Sequence, residues 1–442
     1  MKGSARSDKP NYLCQQCGHR SPKWMGFCPQ CRASDALVET APVRRTSTPS
    51  SDIDVVHATA VNTQVRDRSA TGIGELDRVL GGGLVPGVAI LVGGEPGIGK
   101  STLLLQAADS IALSSGPVLI ATAEESTHQV QMRARRVGVK SDDVLIASIH
   151  DVDEIIDLVG EQRASAVIVD SIQTVSSAEI TGSAGGVAQV RDSAARLIAF
   201  AKKSGTPVVL VGHVTKDGSI AGPRTLEHMV DVVLYLEGES DIGFRFLRSI
   251  KNRYGSVNEV GVFDMTSEGL VEVPDPSGVL VAHRDQSASG SVLFPTIEGK
   301  RPMVVEIQAL VVPTDAPQPR RSVTGLVPAR VHQVLGVLER HAGIPLRSME
   351  VYVSVMGGVR VTEPASDLPV ALAVASAQSG VPLGQTASWG ELGLTGSVRP
   401  ASRPAVRSAE FTRIVDGKVI APEHGYDRLS AALAAVDGLV QR

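Results

Sequence analysis

Gly94, Gly99, Lys100 and Ser101 stand at the spacing Gly-x-x-x-x-Gly-Lys-Ser within VAILVGGEPGIGKST, residues 88–102. That spacing suits phosphate chemistry. A glycine-rich turn lets backbone N–H groups close around phosphates that a Cβ would hold off, and the helix that follows adds its positive dipole end. Gly94, Glu95, Pro96, Gly97, Ile98, Gly99, Lys100, Ser101 and Thr102 are therefore the expected ATP-binding stretch. Lys100 would reach the β- and γ-phosphates, and the Ser101 hydroxyl would coordinate Mg2+. Asp170 closes the apolar run AVIV, which places a carboxylate at the C-terminal edge of a buried strand, where it would hold the same ion through water. Glu124 and Glu125 end the run PVLIATAEE in the same fashion, and one of them would polarise the attacking water.

A second chemistry lies upstream. Cys14 and Cys17, then Cys28 and Cys31, form two Cys-x-x-Cys hooks separated by ten residues, the pattern that presents four thiolates tetrahedrally to one Zn2+ ion. No βαβ pattern precedes residue 35, as a thioredoxin-like redox pair would require. Gly18 and Pro29 are expected to turn the knuckles. Lys23, Trp24 and Phe27 lie between the hooks; the aromatics are expected to pack over the metal, with nucleic-acid contact as the alternative.

The elements needed to hold these residues follow from the pattern of the chain. Residues 39–54, rich in Ser, Thr and Pro, read as a linker between a zinc ribbon at 1–38 and the phosphate-loop unit. After the phosphate loop, PVLIATAEE, VLIAS, AVIVDS and PVVLVGHV alternate with helical patterns near residues 126, 152–162 and 187–203, the rhythm of a parallel α/β sheet. DVVLYLEG and FRFLRSIKNRYG read as an antiparallel pair that extends it. Lys251 and Arg253, two apart on an extended segment, point to one side and can reach one anion; by themselves they read as an exposed basic strand end. The small-residue loop after Asp170 and TKDGSIAGPRT leave the C-terminal edge of the sheet, and in a ring they would face a central channel with Lys216 and Arg224 available to DNA phosphates. Downstream of residue 271 come a helix at VHQVLGVLERHAG, a strand at MEVYVSV, a small-residue helix at DLPVALAVASAQSG and a strand pair in WGELGLTGSVRP, with PTDAPQPRRS as a loop.

A formal net charge of −4 over 442 residues gives no global basic footprint, so any nucleic-acid contact must come from local patches or from assembly. No apolar run approaches the roughly 18 residues of a membrane span, and MKGSARSDKPNY lacks an apolar signal core, so a cytoplasmic location and no membrane partner are expected.

Taken in order, the four-cysteine motif, TGIGELDRVLGGG, GGEPGIGKST, VDSIQT, GHVTK and Lys251-Asn252-Arg253-Tyr254-Gly255 resemble the bacterial RadA family, also called Sms, with Tyr254 where the family has Phe. The resemblance spans essentially the whole chain. It implies a RecA-like P-loop ATPase core at residues 55–270, assembled as a hexameric homo-oligomer. It also implies binding of single-stranded DNA, and branch migration of branched recombination intermediates alongside the RecA recombinase. The family's zinc ligands fall on Cys14, Cys17, Cys28 and Cys31, and its catalytic glutamate on Glu124, with Glu125 as fallback. Lys251 and Arg253 fall where the family reaches the nucleotide of the neighbouring subunit.

Residues 271–442 resemble the proteolytic domain of Lon protease, through MEVYVSVMGGVRVTEPASDLPVALAVASA and WGELGLTGSVRP, which implies a second α/β domain. Ala365 stands where Lon carries its serine and Ala405 where it carries its lysine, and Asp367 replaces a motif glycine. Arg403 and Arg407 stay protonated and accept no proton. A non-proteolytic, ring-forming platform is therefore expected, one that could also contact DNA and whose basic residues include Arg301, Arg320, Arg321 and Arg330. An ATP-dependent protease and a clock-type regulatory ATPase that uses no DNA are the competing classes.

Overall fold

The computed structural model describes residues 11–40, 67–212, 225–238 and 244–439. These fall into two compact units, one drawn from residues within 1–237, 246–257 and 265–271 and the other from residues within 238–245, 258–264 and 272–442. The two units interleave along the chain, where the sequence suggests a single cut after residue 270.

In the first unit, Asn11–Cys14 is the central strand of a three-stranded antiparallel ribbon, between Arg20–Ser21 and Leu37–Thr40. The last strand runs two residues into the expected linker, most of which lies outside the described residues. The core of the same unit is a parallel sheet. Its neighbouring strands are Val232–Glu237, Ala89–Gly94, Val208–Val211, Ala166–Asp170, Val118–Thr122 and Val144–Ser148, in that order. Ala89–Gly94 and Val208–Val211 are buried at every residue, which is why they read as unbroken apolar runs: helices cover both faces of such a sheet. Ile155, Val159, Val190, Ala194, Leu197 and Ala201 cover one face from two helices, Val152–Glu161 and Val187–Ser204. Arg245–Asn252 joins Val232–Glu237 antiparallel, with a register shift between Ser249 and Lys251.

The second unit holds a six-stranded sheet in the order Arg321–Thr324, Met349–Val355, Arg301–Pro313, Ser291–Glu298, Thr386–Ser388 and Lys418–Ile420. The stretch expected as a loop at 313–322 is trimmed at both ends, Pro313 closing one strand and Arg321 opening another. The helix Asp367–Ser379 is buried from Asp367 through Ser376, and such enclosure on all sides explains its small residues. Among the described residues no helix is long and apolar enough to cross a membrane.

Candidate nucleotide and metal sites

The parallel register sets Thr122 beside Asp170, so both strands end in line and the chain then turns through Glu124 and Glu125 at the same edge as the phosphate loop. The helix Lys100–Ser115 starts at Gly99, with φ of 116°, and has neither a side-chain cap nor an acidic residue in its first turn. Neighbouring helices are closed differently. Ser126 caps Thr127–Arg136 in a reciprocal box with Gln129, and Asp151 accepts from the N–H groups of Asp153 and Glu154. The first N–H groups of the Lys100 helix thus lack a side-chain acceptor, and Gly99, Lys100, Ser101 and Thr102 line a pocket of about 340 Å³ with Thr122, Glu124, Glu125 and Asp170. A helix start of this kind beside the Lys100 ammonium fits a phosphate group.

The glycines serve the fold as well as any ligand. A Cβ on Gly94 would lie 2.5 Å from the Leu236 carbonyl oxygen, and one on Gly99 would lie 2.6 Å from the Met265 methyl carbon. Lys100 is 5% exposed, and its Nζ donates to the carbonyl oxygens of Gly94 and Glu95, each at 2.8 Å. Burial lowers its pKa below the usual lysine value, against the pull of Asp170 and Glu124. Burial likewise raises the Asp170 carboxyl, opposed by a hydrogen bond with the Ser101 side chain and reinforced by the charge of Glu124. Ser101 and Asp170 are therefore together, as magnesium coordination requires.

The two glutamates part company. The Ser171 hydroxyl donates to Glu124, whereas Arg133 donates to Glu125 Oε1 at 2.5 Å. Ser171, Arg133 and Arg136 are not among the residues expected from the motifs, although both arginines line the pocket. The legible signal was their spacing of three in HQVQMRARR, which stacks them on one helix face.

Lys251 and Arg253 do not share an anion within the chain. Lys251 Nζ donates to the carbonyls of Glu227, His228 and Val230, at 2.8, 3.3 and 2.7 Å, around the end of the helix Thr225–Met229. Arg253, half exposed, lies 3.5 Å from the buried Asp231, which also holds the Lys202 ammonium and accepts from the Ala89 N–H that opens the phosphate-loop strand. The register shift and the end of the strand at Asn252 break the simple alternation that would have aligned them. Asn252 itself donates to the carbonyls of Val79 and Leu80 and accepts from the Tyr254 N–H, so this string fastens the unit together. Lys216 and Arg224 lie outside the described residues.

In the ribbon, Cys14, Cys17, Cys28 and Cys31 bring their sulfur atoms within 4.8 Å of one another, with Cys14–Cys31 at 3.6 Å and Cys17–Cys28 at 3.5 Å. A disulfide would need about 2.05 Å. Four sulfurs each about 2.3 Å from a central zinc lie about 3.8 Å apart, so the donor set fits that ion. The first knuckle closes at Gly18, with φ of 72°, and the second turns through Pro29, Gln30 and Cys31 and closes at Arg32, with φ of 60°, where the Arg32 N–H donates to the Cys28 carbonyl at 2.8 Å. Trp24 and Phe27 are 58% and 56% exposed; the ribbon core is instead Cys14, Cys28, Ala36 and Leu37, with Tyr12, Met25 and Ala33 against it. Replacement Cys28→Ser is expected to release zinc, because a hydroxyl is a far poorer ligand than thiolate and the set has no spare donor. Metal analysis of the purified variant checks this: one zinc retained per chain would contradict the assignment.

In the second unit, Arg301 is buried and donates to the carbonyls of Val260, Val273 and Pro274, and Arg330 forms a two-pronged pair with Asp367 at 3.0 and 2.5 Å. Neither stands free for DNA, in contrast to the expectation. Arg321 is tied to the carbonyls of Leu346 and Met349, while Arg320 is exposed. Ser366 is buried and donates to the Glu363 carbonyl at 2.8 Å.

Comparison with known proteins matches residues 57–219 to an AAA domain and residues 12–39 to a rubredoxin metal binding domain. The protein described as DNA repair protein RadA in Bacillus subtilis (strain 168) is 44% identical over 428 residues, covering 95% of this chain and 93% of that one. Its namesake in Pseudomonas aeruginosa is 45% identical over 427 residues, covering 95% and 92%. Among solved structures, a KaiC-like protein from Pyrococcus horikoshii OT3 aligns with 22% identity and a TM-score of 0.40, covering 47% of this chain and 99% of that chain.

Proposed function

The chain belongs to the RadA family of DNA repair proteins, and from that we propose that it hydrolyses ATP in repair and homologous recombination. It works as a ring of identical subunits, a hexamer, on DNA with single-stranded regions, and it promotes branch migration of recombination intermediates alongside the RecA recombinase. The carrying observation is the acceptor-free start of the Lys100 helix opening on a pocket that also holds Lys100 and the Ser101–Asp170 pair.

Bound MgATP supplies the transferable γ-phosphoryl group. Lys100 neutralises charge on its oxygens, Ser101 and Asp170 are the residues that would hold the magnesium, which when bound would offset phosphate charge, and the backbone of Gly94–Thr102 encloses the phosphates. Glu124, kept in place by the Ser171 hydroxyl, polarises the attacking water. The half-exposed Arg253 reaches the nucleotide of a neighbouring subunit, where a cation stabilises the spreading charge of the transition state. Lys251 fastens the strand end from which Arg253 projects. Lys216 and Arg224 take the DNA phosphates.

The second unit is read as a Lon-like scaffold without protease chemistry. Ser366 is bonded to a carbonyl, which cannot take its proton, and Ala365 and Ala405 carry no nucleophile or base. Asp367, spent on Arg330, would oppose an oxyanion. The deciding measurement is the ATPase rate with and without single-stranded DNA. Stimulation of several-fold is expected, whereas an unchanged rate would favour a regulatory ATPase that does not use DNA.

A further inference from the structure

The nucleotide pocket sets three carboxylates, Glu124, Glu125 and Asp170, against three cations, Lys100, Arg133 and Arg136. Glu124 and Glu125 adjoin in the chain, and nothing in their residue type separates them. Their partners do. Both carboxylates act electrostatically on Asp170, but Glu124 receives the Ser171 hydroxyl and is the one of the two that also acts on Lys100, which places it toward the phosphate loop. Glu125 is fixed from two sides. Its backbone N–H and carbonyl are both bonded to the Thr122 hydroxyl, at 3.2 and 3.0 Å, and its Oε1 takes the Arg133 guanidinium at 2.5 Å. Its Oε2 is closed off from solvent without a hydrogen-bond partner, so the guanidinium is the hydrogen-bonding counter-charge of this carboxylate. Arg133 is delivered by the helix Thr127–Arg136, whose capping box at Ser126 begins at the residue after Glu125. The glutamate pair and the arginine therefore form one short, braced unit.

We propose that Arg133 is a positioning residue of the ATPase: by pairing with Glu125 it withdraws that carboxylate from the γ-phosphate, leaving Glu124 as the single water-activating base. The inference rests on reading the pocket as the ATP-hydrolysing site. Without the guanidinium, a half-buried carboxylate loses its counter-ion, a cost that falls mainly on the enclosed Oε2 and that solvent screens in part. The freed Glu125 turns toward the remaining cations, Lys100 and Arg136, competing with the phosphates for them. The pocket side chains are also left with one negative charge in excess, against an anionic substrate. Both nucleotide affinity and turnover suffer.

The test uses the full chain and measures the dissociation constant of a fluorescent non-hydrolysable ATP analogue together with kcat. Arg133→Gln is expected to weaken binding and slow turnover by about tenfold each, the scale of coupling between contacting charged residues. Adding Glu125→Gln in the same chain removes the unpaired charge and is expected to return both quantities to within about threefold of wild type. A role confined to packing of the arginine stem would leave the double variant as impaired as the single one, and that result overturns the proposal, as does unchanged analogue binding in Arg133→Gln. Should Arg133→Gln fail to fold, Arg133→Lys carries the test. It keeps the charge and so the affinity, but its single ammonium holds Glu125 less firmly, so kcat alone should fall; no fall overturns the proposal. Glu124→Gln separates the two levels of the argument. If it hydrolyses ATP at the wild-type rate, the reading of the pocket fails; if it is inactive while Arg133→Gln behaves as wild type, only the role of Arg133 fails.

Discussion

Lys100→Ala is expected to lower ATP turnover by on the order of a hundredfold or more while leaving the chain folded. The lysine is nearly buried, its Nζ already points along the loop carbonyls of Gly94 and Glu95, and burial lowers its pKa against the pull of Asp170 and Glu124. A cation held so is preorganised: it need not be recruited from solvent when charge spreads over the γ-phosphoryl oxygens, and its worth is greater in a partly desolvated pocket than in water. Shortening it to alanine removes the cation and leaves two carbonyls that pocket water can reach, so the melting transition should move little. The measurement is steady-state hydrolysis beside the melting temperature. A rate within about twofold of wild type would refute the assignment of this loop to ATP hydrolysis.

Arg407→Met is expected to destabilise the second unit by about 3–5 kcal/mol, the cost of leaving a buried ion pair with one partner. Arg407 is 0% exposed, an unusual place for a guanidinium. Its two terminal nitrogens bond the Glu363 carboxylate, Nη1 also donates to the Pro295 carbonyl at 2.6 Å, and Nε donates to the Ser402 carbonyl at 2.9 Å. The guanidinium lies 5.7 Å from the centroid of the Phe294 ring. Methionine replaces the stem but abandons Glu363, whose remaining donors are the Thr296 hydroxyl at 2.7 Å and the Ile297 N–H at 3.2 Å. Trp389, fully buried in the same unit, reports the transition by fluorescence, and the urea midpoint should fall by at least about 1 M. Adding Glu363→Gln should recover part of the loss, since it removes the stranded charge. An unmoved midpoint in Arg407→Met would contradict the account. The pair also bears on chemistry: near the positions where the Lon resemblance would place serine and lysine, this chain builds internal ion pairs, Arg407–Glu363 and Arg330–Asp367.

Much of this was written in short-range patterns. The phosphate loop, the paired cysteine hooks and the alternation of apolar runs with helices depend on residues within a dozen or so positions of each other, where spacing translates directly into geometry. The strand Met349–Val355 and the helix Asp367–Ser379 follow their strings for the same reason. What tertiary structure alone decided lies where the partner is distant in sequence. Ser171 chooses Glu124 from 47 positions away. Lys251 and Arg253, equivalent by alternation, are separated by a helix end at Glu227–Val230 and by Asp231. Arg301, a candidate for DNA by composition, is buried by the carbonyls of Val260, Val273 and Pro274. Trp24 and Phe27, expected over the metal, are exposed, and the cluster around Cys14 and Cys28 is filled instead by Ala36 and by Leu37 at the start of the third strand. In each case a charge or ring has several acceptable environments, and the one it takes is set by packing that brings a remote carbonyl, carboxylate or apolar side chain within reach; local spacing carries no record of that contact.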